Sequence, residues 1–372
     1  MNWDDTEARK EFAWLRLMAR LKYDGYRDFQ AGARFIESLA TWLQQFEKGS
    51  DRKNAYDFIR HHLVYVGPSE MQHLVHQFYP RIIRPGLAKV VAQRLGTPLH
   101  TTIVNQEAQS MLRRLRRQTL FMALSDGARI DELRRSNVGL LSNEQLVVAT
   151  QVDTEKWQDL LAKLRKDLDD TNAKFACVYL VDDFMGTGTT LLREKSGAWD
   201  GKLVRFLTSV KHATDGLNGE TLFEDDWQLR VHHYLATDHA HRKIGERATL
   251  AYPQLNQLGL RQPPIFTFGN VFPPSLPVTS NEAQFEKFIA IAKKYYDPEI
   301  ETVHTRVGGT TGISLGYGDC ALPLALDHNT PNNSIALLWA ESSGSQISDS
   351  DKRHHAMRPL FRRRQRHTGG IT

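Results

Sequence analysis

The stretch that decides the reading is Val178-Tyr179-Leu180-Val181-Asp182-Asp183-Phe184-Met185-Gly186-Thr187-Gly188-Thr189-Thr190-Leu191-Leu192. It has three parts: an apolar run, a pair of carboxylates, and a loop of small residues expected to open a helix. The apolar run begins at Phe175 and is unbroken to Val181. Continuous apolar character marks a strand buried on both faces of a parallel sheet. Ligands of such sheets bind beyond the carboxyl ends of the strands, which is where this loop falls. Gly186 and Gly188 let the backbone turn tightly and approach a ligand. A helix starting after them offers unpaired N–H groups and a positive dipole end to an anion. Thr187, Thr189 and Thr190 add hydroxyls. The loop therefore suits a phosphate, but not as the lysine loop of nucleotide triphosphatases, since no Gly-Lys-Ser/Thr follows. Asp182 and Asp183 would repel a phosphate that they faced. They make sense as acceptors for sugar hydroxyls, and a ribose 5-phosphate has both features.

Working outward, Thr119 to Leu124 is a short apolar run stopped by Ser125-Asp126-Gly127, and Leu146 to Val148 is a second short strand candidate. Trp157, Leu160, Leu161, Leu164 and Leu168 have helical spacing. Leu203 to Val210 and Val231 to Ala236 are expected as further strands. Strands alternating with helices imply a parallel sheet with crossover helices. Before residue 119 the chain reads as helical, without a strong strand signal. Phe35, Ile36, Leu39, Leu43 and Phe46 form a helical stripe with Gly49 as its stop. Pro68 to Gln72 is expected to start a helix, with Ser69 and Gln72 at capping-box spacing. Pro80 and Pro85 are expected to end it. Later, residues 281–296 form a helix through Phe285, Phe288, Ile289 and Ala292. Residues 307–319 are glycine-rich, and Ala321 to Leu326 is a strand candidate. The expected division is an N-terminal helical domain (1–110), an α/β domain (111–345) and a polar, then basic, tail (346–372).

A chain of 372 residues has room for two domains, or for one core with a large extension. Its hydrophobic content of 41% and charged content of 24% are those of an ordinary globular protein. The net charge of +5 fits anionic partners without choosing between phosphorylated metabolites and nucleic acid. Cys177 and Cys320 build neither a disulfide framework nor a cysteine zinc site. The start, Met1-Asn2-Trp3-Asp4-Asp5, is acidic and unlike a signal peptide. No run of ~18 apolar residues is present, so no membrane span is expected. The expected setting is cytoplasmic.

The stretch from Val178 to Thr190 resembles the PRPP-binding signature of type I phosphoribosyltransferases: four apolar residues, two acidic ones, then a Thr/Gly loop. The resemblance implies an α/β fold, a type I phosphoribosyltransferase-like parallel sheet flanked by helices, here behind an N-terminal helical domain. It implies that Asp182 and Asp183 are the catalytic pair holding the ribose hydroxyls. It also implies that Gly186, Thr187, Gly188, Thr189 and Thr190 bind the 5-phosphate of a phosphorylated ribose substrate. Gly186 departs from the family, which usually carries Thr or Ser there. By order, Ser125-Asp126-Gly127-Ala128-Arg129 matches the loop that contacts pyrophosphate; a plain turn with a solvated arginine fits the same residues. Mg²⁺ would arrive with the PRPP, with no metal held by protein ligands alone.

Gly316 to Asp319 and the run His328-Asn329-Thr330-Pro331-Asn332-Asn333 form a late polar cluster. His328, Asn329, Asn332 and Asn333 are candidates for lining a site, or for an Asn-rich turn. This run, with Ser125 to Arg129 and Pro359-Leu360-Phe361, resembles phosphoribosyltransferase-like proteins of bacterial conflict systems, including effectors encoded beside reverse transcriptases in retrons. That resemblance implies a toxic effector of anti-phage defence, partnered by a reverse transcriptase and its RNA/DNA product. Arg113, Arg114, Arg116 and Arg117, and the run Arg362-Arg363-Arg364-Gln365-Arg366, suit nucleic-acid phosphates or plain solvation equally. The histidines lack zinc-protease spacing. Three roles stay open: transfer of a phosphoribosyl group or cleavage of a nucleotide glycosidic bond, non-catalytic PRPP sensing, and a structural subunit of a nucleoprotein complex.

Overall fold

The computed structural model describes residues 1, 3–27, 29, 34–149, 152–217, 220–302, 312–347 and 354–363. The glycine-rich residues 307–311 and the basic residues 364–366 lie outside the described residues. In chain order the elements are α1 (Asp5–Leu21), α2 (Phe35–Gln44), α3 (Gly49–His62), β1 (Val64–Val66), α4 (Pro68–Phe78), α5 (Arg84–Leu95), α6 (Gln106–Arg117), β2 (Thr119–Ala123), α7 (Ile130–Arg135), β3 (Leu146–Val148), α8 (Thr154–Leu168), β4 (Phe175–Met185), β5 (Arg193–Lys195), β6 (Ala198–Asp200), α9 (Lys202–Gly216), β7 (Phe223–Thr237), α10 (Asp238–Gln257), β8 (Ile265–Phe272), α11 (Ala283–Lys294) and β9 (Leu324–Leu326).

The chain divides into two compact units, residues 1–71 with 274–372, and residues 72–273. This partition differs from the expected cuts at 110 and 345. In the first unit, β1 pairs in parallel with β9, Val64 opposite Leu324 and Val66 opposite Leu326. Phe361 stacks on Phe35 and Tyr65 with ring centroids 5.8 and 5.7 Å apart. Phe58 of α3 lies face to face with Phe288 of α11 at 3.6 Å. The two chain ends thus share one aromatic core. Pairings this distant in sequence leave no mark on local composition, and the three-residue strand β1 was too short to read.

The second unit holds a five-stranded sheet of order β3-β2-β4-β7-β8, every neighbour parallel. This is the expected α/β sheet flanked by helices. The apolar residues from Phe175 to Val181 are all buried at its centre, which is why the run is continuous.

Four expectations are corrected. Leu203 to Val210 is helix, not strand: Leu203, Phe206, Leu207, Val210 and Ala213 are the buried face of α9, a spacing of three and four residues. No helix opens at Thr189 to Leu192; a turn and the β5–β6 hairpin intervene before α9. Pro80 and Pro85 do not end a helix. The chain continues through a π turn, Tyr79–Ile83, into α5, with Phe78, Ile83 and Arg84 all in helical backbone; each proline lacks an N–H within this continuing run, and the wider π turn is one way such a run accommodates a lost bond. The expected cap at Ser69 is replaced by the Gly67 amide donating to the Glu70 carboxylate at 3.0 Å.

Candidate functional site

Strand β4 carries both aspartates to its carboxyl end, where successive side chains leave opposite faces. Asp182 is buried. Its Oδ2 accepts from Lys202 Nζ at 2.6 Å, and its Oδ1 accepts from the Ser125 hydroxyl and from the Asp183 amide at 3.1 Å. Burial first, then the neighbouring charge of Asp183, pushes the Asp182 carboxyl up to about 6 against the pull of Lys202. Asp183 is half-buried and falls on the other face, that of Tyr234. The Tyr234 hydroxyl is pushed upward by burial, and feels the charges of Arg129, Asp183 and Asp182. The sheet therefore brings the 125–129 loop, which ends β2, beside the aspartates, which end β4.

The loop after β4 has a one-sided hydrogen-bond pattern. Six successive carbonyls are held, five of them from outside it. Gly186 O accepts from Thr237 Oγ1 at 2.6 Å, and Thr187 O from Arg247 Nη1. Gly188 O accepts from the amides of Leu191 and Leu192 at 3.1 and 3.0 Å. Thr189 O accepts from Arg193 Nη1 at 3.2 Å. Thr190 O and Leu191 O accept from the amides of Lys202 and Leu203 at 3.0 and 3.1 Å. Among the described residues, no protein acceptor meets the amides of Thr187, Gly188 or Thr190. Gly186, Thr187 and Gly188 are buried, Thr189 half-buried and Thr190 exposed. Donors in such a setting are left for an acceptor from outside the protein, water or an anion.

Two glycines make the loop possible. Gly188 has φ +76°, and an added Cβ would lie 3.2 Å from Arg247 Nη1. Gly201, with φ +131°, lets the hairpin close onto the loop: a Cβ there would lie 2.3 Å from Leu191 O. The start of α9 is thus spent on the loop's own carbonyls, and the amides left without a protein acceptor are those of the loop rather than those of the helix end that the sequence suggested.

In the 125–129 loop, the Ser125 hydroxyl accepts from the Gly127 amide at 3.2 Å. Arg129 takes a left-handed backbone with φ +48°. The Ala128 carbonyl accepts from the Tyr234 hydroxyl at 3.1 Å. Asp126 follows Ser125 in the same short turn.

The late cluster belongs to the other unit, and its bonds there are turn-forming. His328 pairs with Asp327 at 3.0 Å. Asn329 bridges to Leu326, and the Asn332 carbonyl accepts from the Tyr317 amide at 2.7 Å. Asn333 donates to Tyr317 O at 3.1 Å. In the basic helix α6, Arg114 and Arg117 are paired with Asp170 and Asp167, and Arg113 is exposed.

Sequence reasoning missed Lys202, Arg193, Thr237, Arg247 and His233. His233 lies opposite Asp182 in the β4–β7 register. Burial, then Lys202, pushes its imidazole down to about 3. Thr237 carried a readable signal, a capping residue directly after the Val231 to Ala236 run. The arginines and the lysine carried none, because their partners are distant in sequence.

A family model described as PRTase-CE matches residues 39–363. The chain belongs to the PRTase-CE family. It is a phosphoribosyltransferase-like protein, and the match covers both units, so the PRTase-CE region is larger than the α/β sheet alone. No curated protein and no solved structure matches the chain. No helix among the described residues is long and apolar enough to cross a membrane.

Proposed function

We propose that this PRTase-CE protein binds a 5-phosphoribosyl group that carries diphosphate on C1, and cleaves the bond between C1 and that diphosphate. The observation that carries the reading is the loop of pinned carbonyls and unspent amides at Thr187, Gly188 and Thr190. It suits the 5-phosphate, while Asp183, a few residues back on β4, is placed for sugar hydroxyls. In the reaction the C1–O electron pair leaves with the diphosphate, and an acceptor lone pair forms the new bond to C1. Catalysis of this kind rests on positioning and on neutralising the leaving group.

Among the described residues, no three His, Cys, Asp or Glu side chains converge to hold a metal. Mg²⁺ arriving with the diphosphate would supply charge neutralisation, with Asp183 the half-buried carboxylate at hand. The resemblance of Asn329 to Asn333 and Pro359 to Phe361 to conflict-system proteins supports a setting in anti-phage defence, as an effector working with a reverse transcriptase and its nucleic-acid product.

The test is calorimetric titration with PRPP and Mg²⁺, paired with an assay for released pyrophosphate. Binding is expected for the wild type, with a loss of at least ~10-fold in Asp183→Asn, since a hydrogen bond to a charged group is worth about 1.5–3 kcal/mol. Binding without pyrophosphate release, across acceptor bases and water, would favour a sensing role. No binding of PRPP or ribose 5-phosphate sinks the proposal.

A further inference from the structure

The aspartate pair does not act as one unit. Both oxygens of Asp182 are engaged inside the protein, by Ser125 and the Asp183 amide on one side and by Lys202 on the other. Its side chain is buried, whereas that of Lys202 keeps 23% of its surface exposed. An ammonium has three donors, and among the described residues one of them is used, toward Asp182. Ser125 opens the loop at the end of β2, and Lys202 opens α9. One carboxylate thus clamps together the start of the 125–129 loop and a cation.

We propose that Asp182 is a positioning residue and that Lys202, held by it beside Ser125, is the protein cation that receives the diphosphate carried on C1 of the sugar. This rests on the phosphoribosyl reading and adds to it the side chain that tells a sugar carrying a C1 diphosphate from one without. Charge supports the assignment. A bare pair of adjacent carboxylates would repel a diphosphate, and the Lys202 ammonium cancels one of them. The other groups at this position are of mixed sign: Asp183 and Asp126 are acidic, and the two facing groups are neutral or basic. His233 faces Asp182 from β7 and stays neutral. Arg129, on the loop that Ser125 opens, brings a second positive charge to this end of the sheet.

The experiment compares two probes, ribose 5-phosphate alone and PRPP with Mg²⁺, on the full chain by calorimetry. Lys202→Met is expected to weaken PRPP binding at least ~10-fold while changing ribose 5-phosphate binding by less than about twofold, and Lys202→Arg to keep most of the PRPP affinity. Asp182→Asn is expected to reproduce the selective loss, and to add little to it in the double variant, because both changes remove one device. Should Lys202→Met not fold, Lys202→Gln carries the same comparison, with thermal unfolding as the check on folding. Equal losses for the two probes would make Lys202 structural and overturn the proposal; unchanged PRPP binding would do so too. A wild-type protein that binds neither probe removes the phosphoribosyl reading itself. Binding of ribose 5-phosphate with an unselective Lys202 variant removes only the lysine assignment.

Discussion

Asp182 and His233 stand opposite one another in the β4–β7 register, the carboxyl pushed up to about 6 and the imidazole down to about 3. Burial is the first cause of both shifts, and it acts on them in opposite senses because it disfavours whichever form is charged. Asp182 has an ordinary value of 3.8, so the folded chain binds this proton more tightly than the unfolded chain. Its contribution favours the fold at low pH and is lost as pH rises from about 4 to about 6. His233 has an ordinary value of 6.5, so the unfolded chain binds the proton more tightly. Its contribution is present above that value and is lost as pH falls toward about 3. Between about pH 4 and 6 the two oppose each other. Asp182→Asn should therefore make stability fall more steeply with acid, and His233→Gln should make it fall less steeply. Urea unfolding at a series of pH values measures both slopes. Identical slopes in wild type and both variants would refute this account.

Gly188→Ala tests the loop as an anion site. The left-handed backbone at φ +76° costs an L-residue about 1–2 kcal/mol, and the new methyl meets Arg247 Nη1, the group that holds Thr187 O. Ribose 5-phosphate binding should weaken at least ~10-fold, beyond what the loss of stability explains. Calorimetric titration checks this, and a variant that binds as the wild type does would remove the loop from the site.

Thr237 couples the end of β7 to the loop. Its hydroxyl accepts from the Ala240 amide at 3.0 Å, capping α10, and donates to Gly186 O at 2.6 Å. Thr237→Val should cost about 1–2 kcal/mol of stability and weaken phosphate binding, whereas Thr237→Ser should restore both. Thermal melts with and without ribose 5-phosphate separate the two effects. If valine lowers the melting temperature but leaves the ligand-induced shift intact, the bond to Gly186 has no part in binding.

Much of the candidate site is legible in the sequence because its parts are contiguous. The apolar run, the two aspartates and the Gly/Thr loop follow one another, and burial of a central parallel strand leaves a continuous apolar signature. Leu203 to Val210 reads as a strand although Leu203, Phe206, Leu207 and Val210 have helical spacing. A short apolar run does not separate a buried strand from a buried helix face by itself. The inserted β5–β6 hairpin moved the helix start from the Thr189 region to Lys202, and that displacement put Lys202 against Asp182.

The sequence by itself determined the central strand and the Gly/Thr loop that ends it, because each depends on residues close together in the chain. Tertiary structure alone decided which aspartate is buried, which cation meets it, which donors hold the loop's carbonyls, and that both chain ends share one core. Those outcomes depend on pairings such as Asp182 with Lys202, Thr187 with Arg247 and Val64 with Leu324. Side chains distant in sequence acquire such partners only when the packed sheet and helices bring them together.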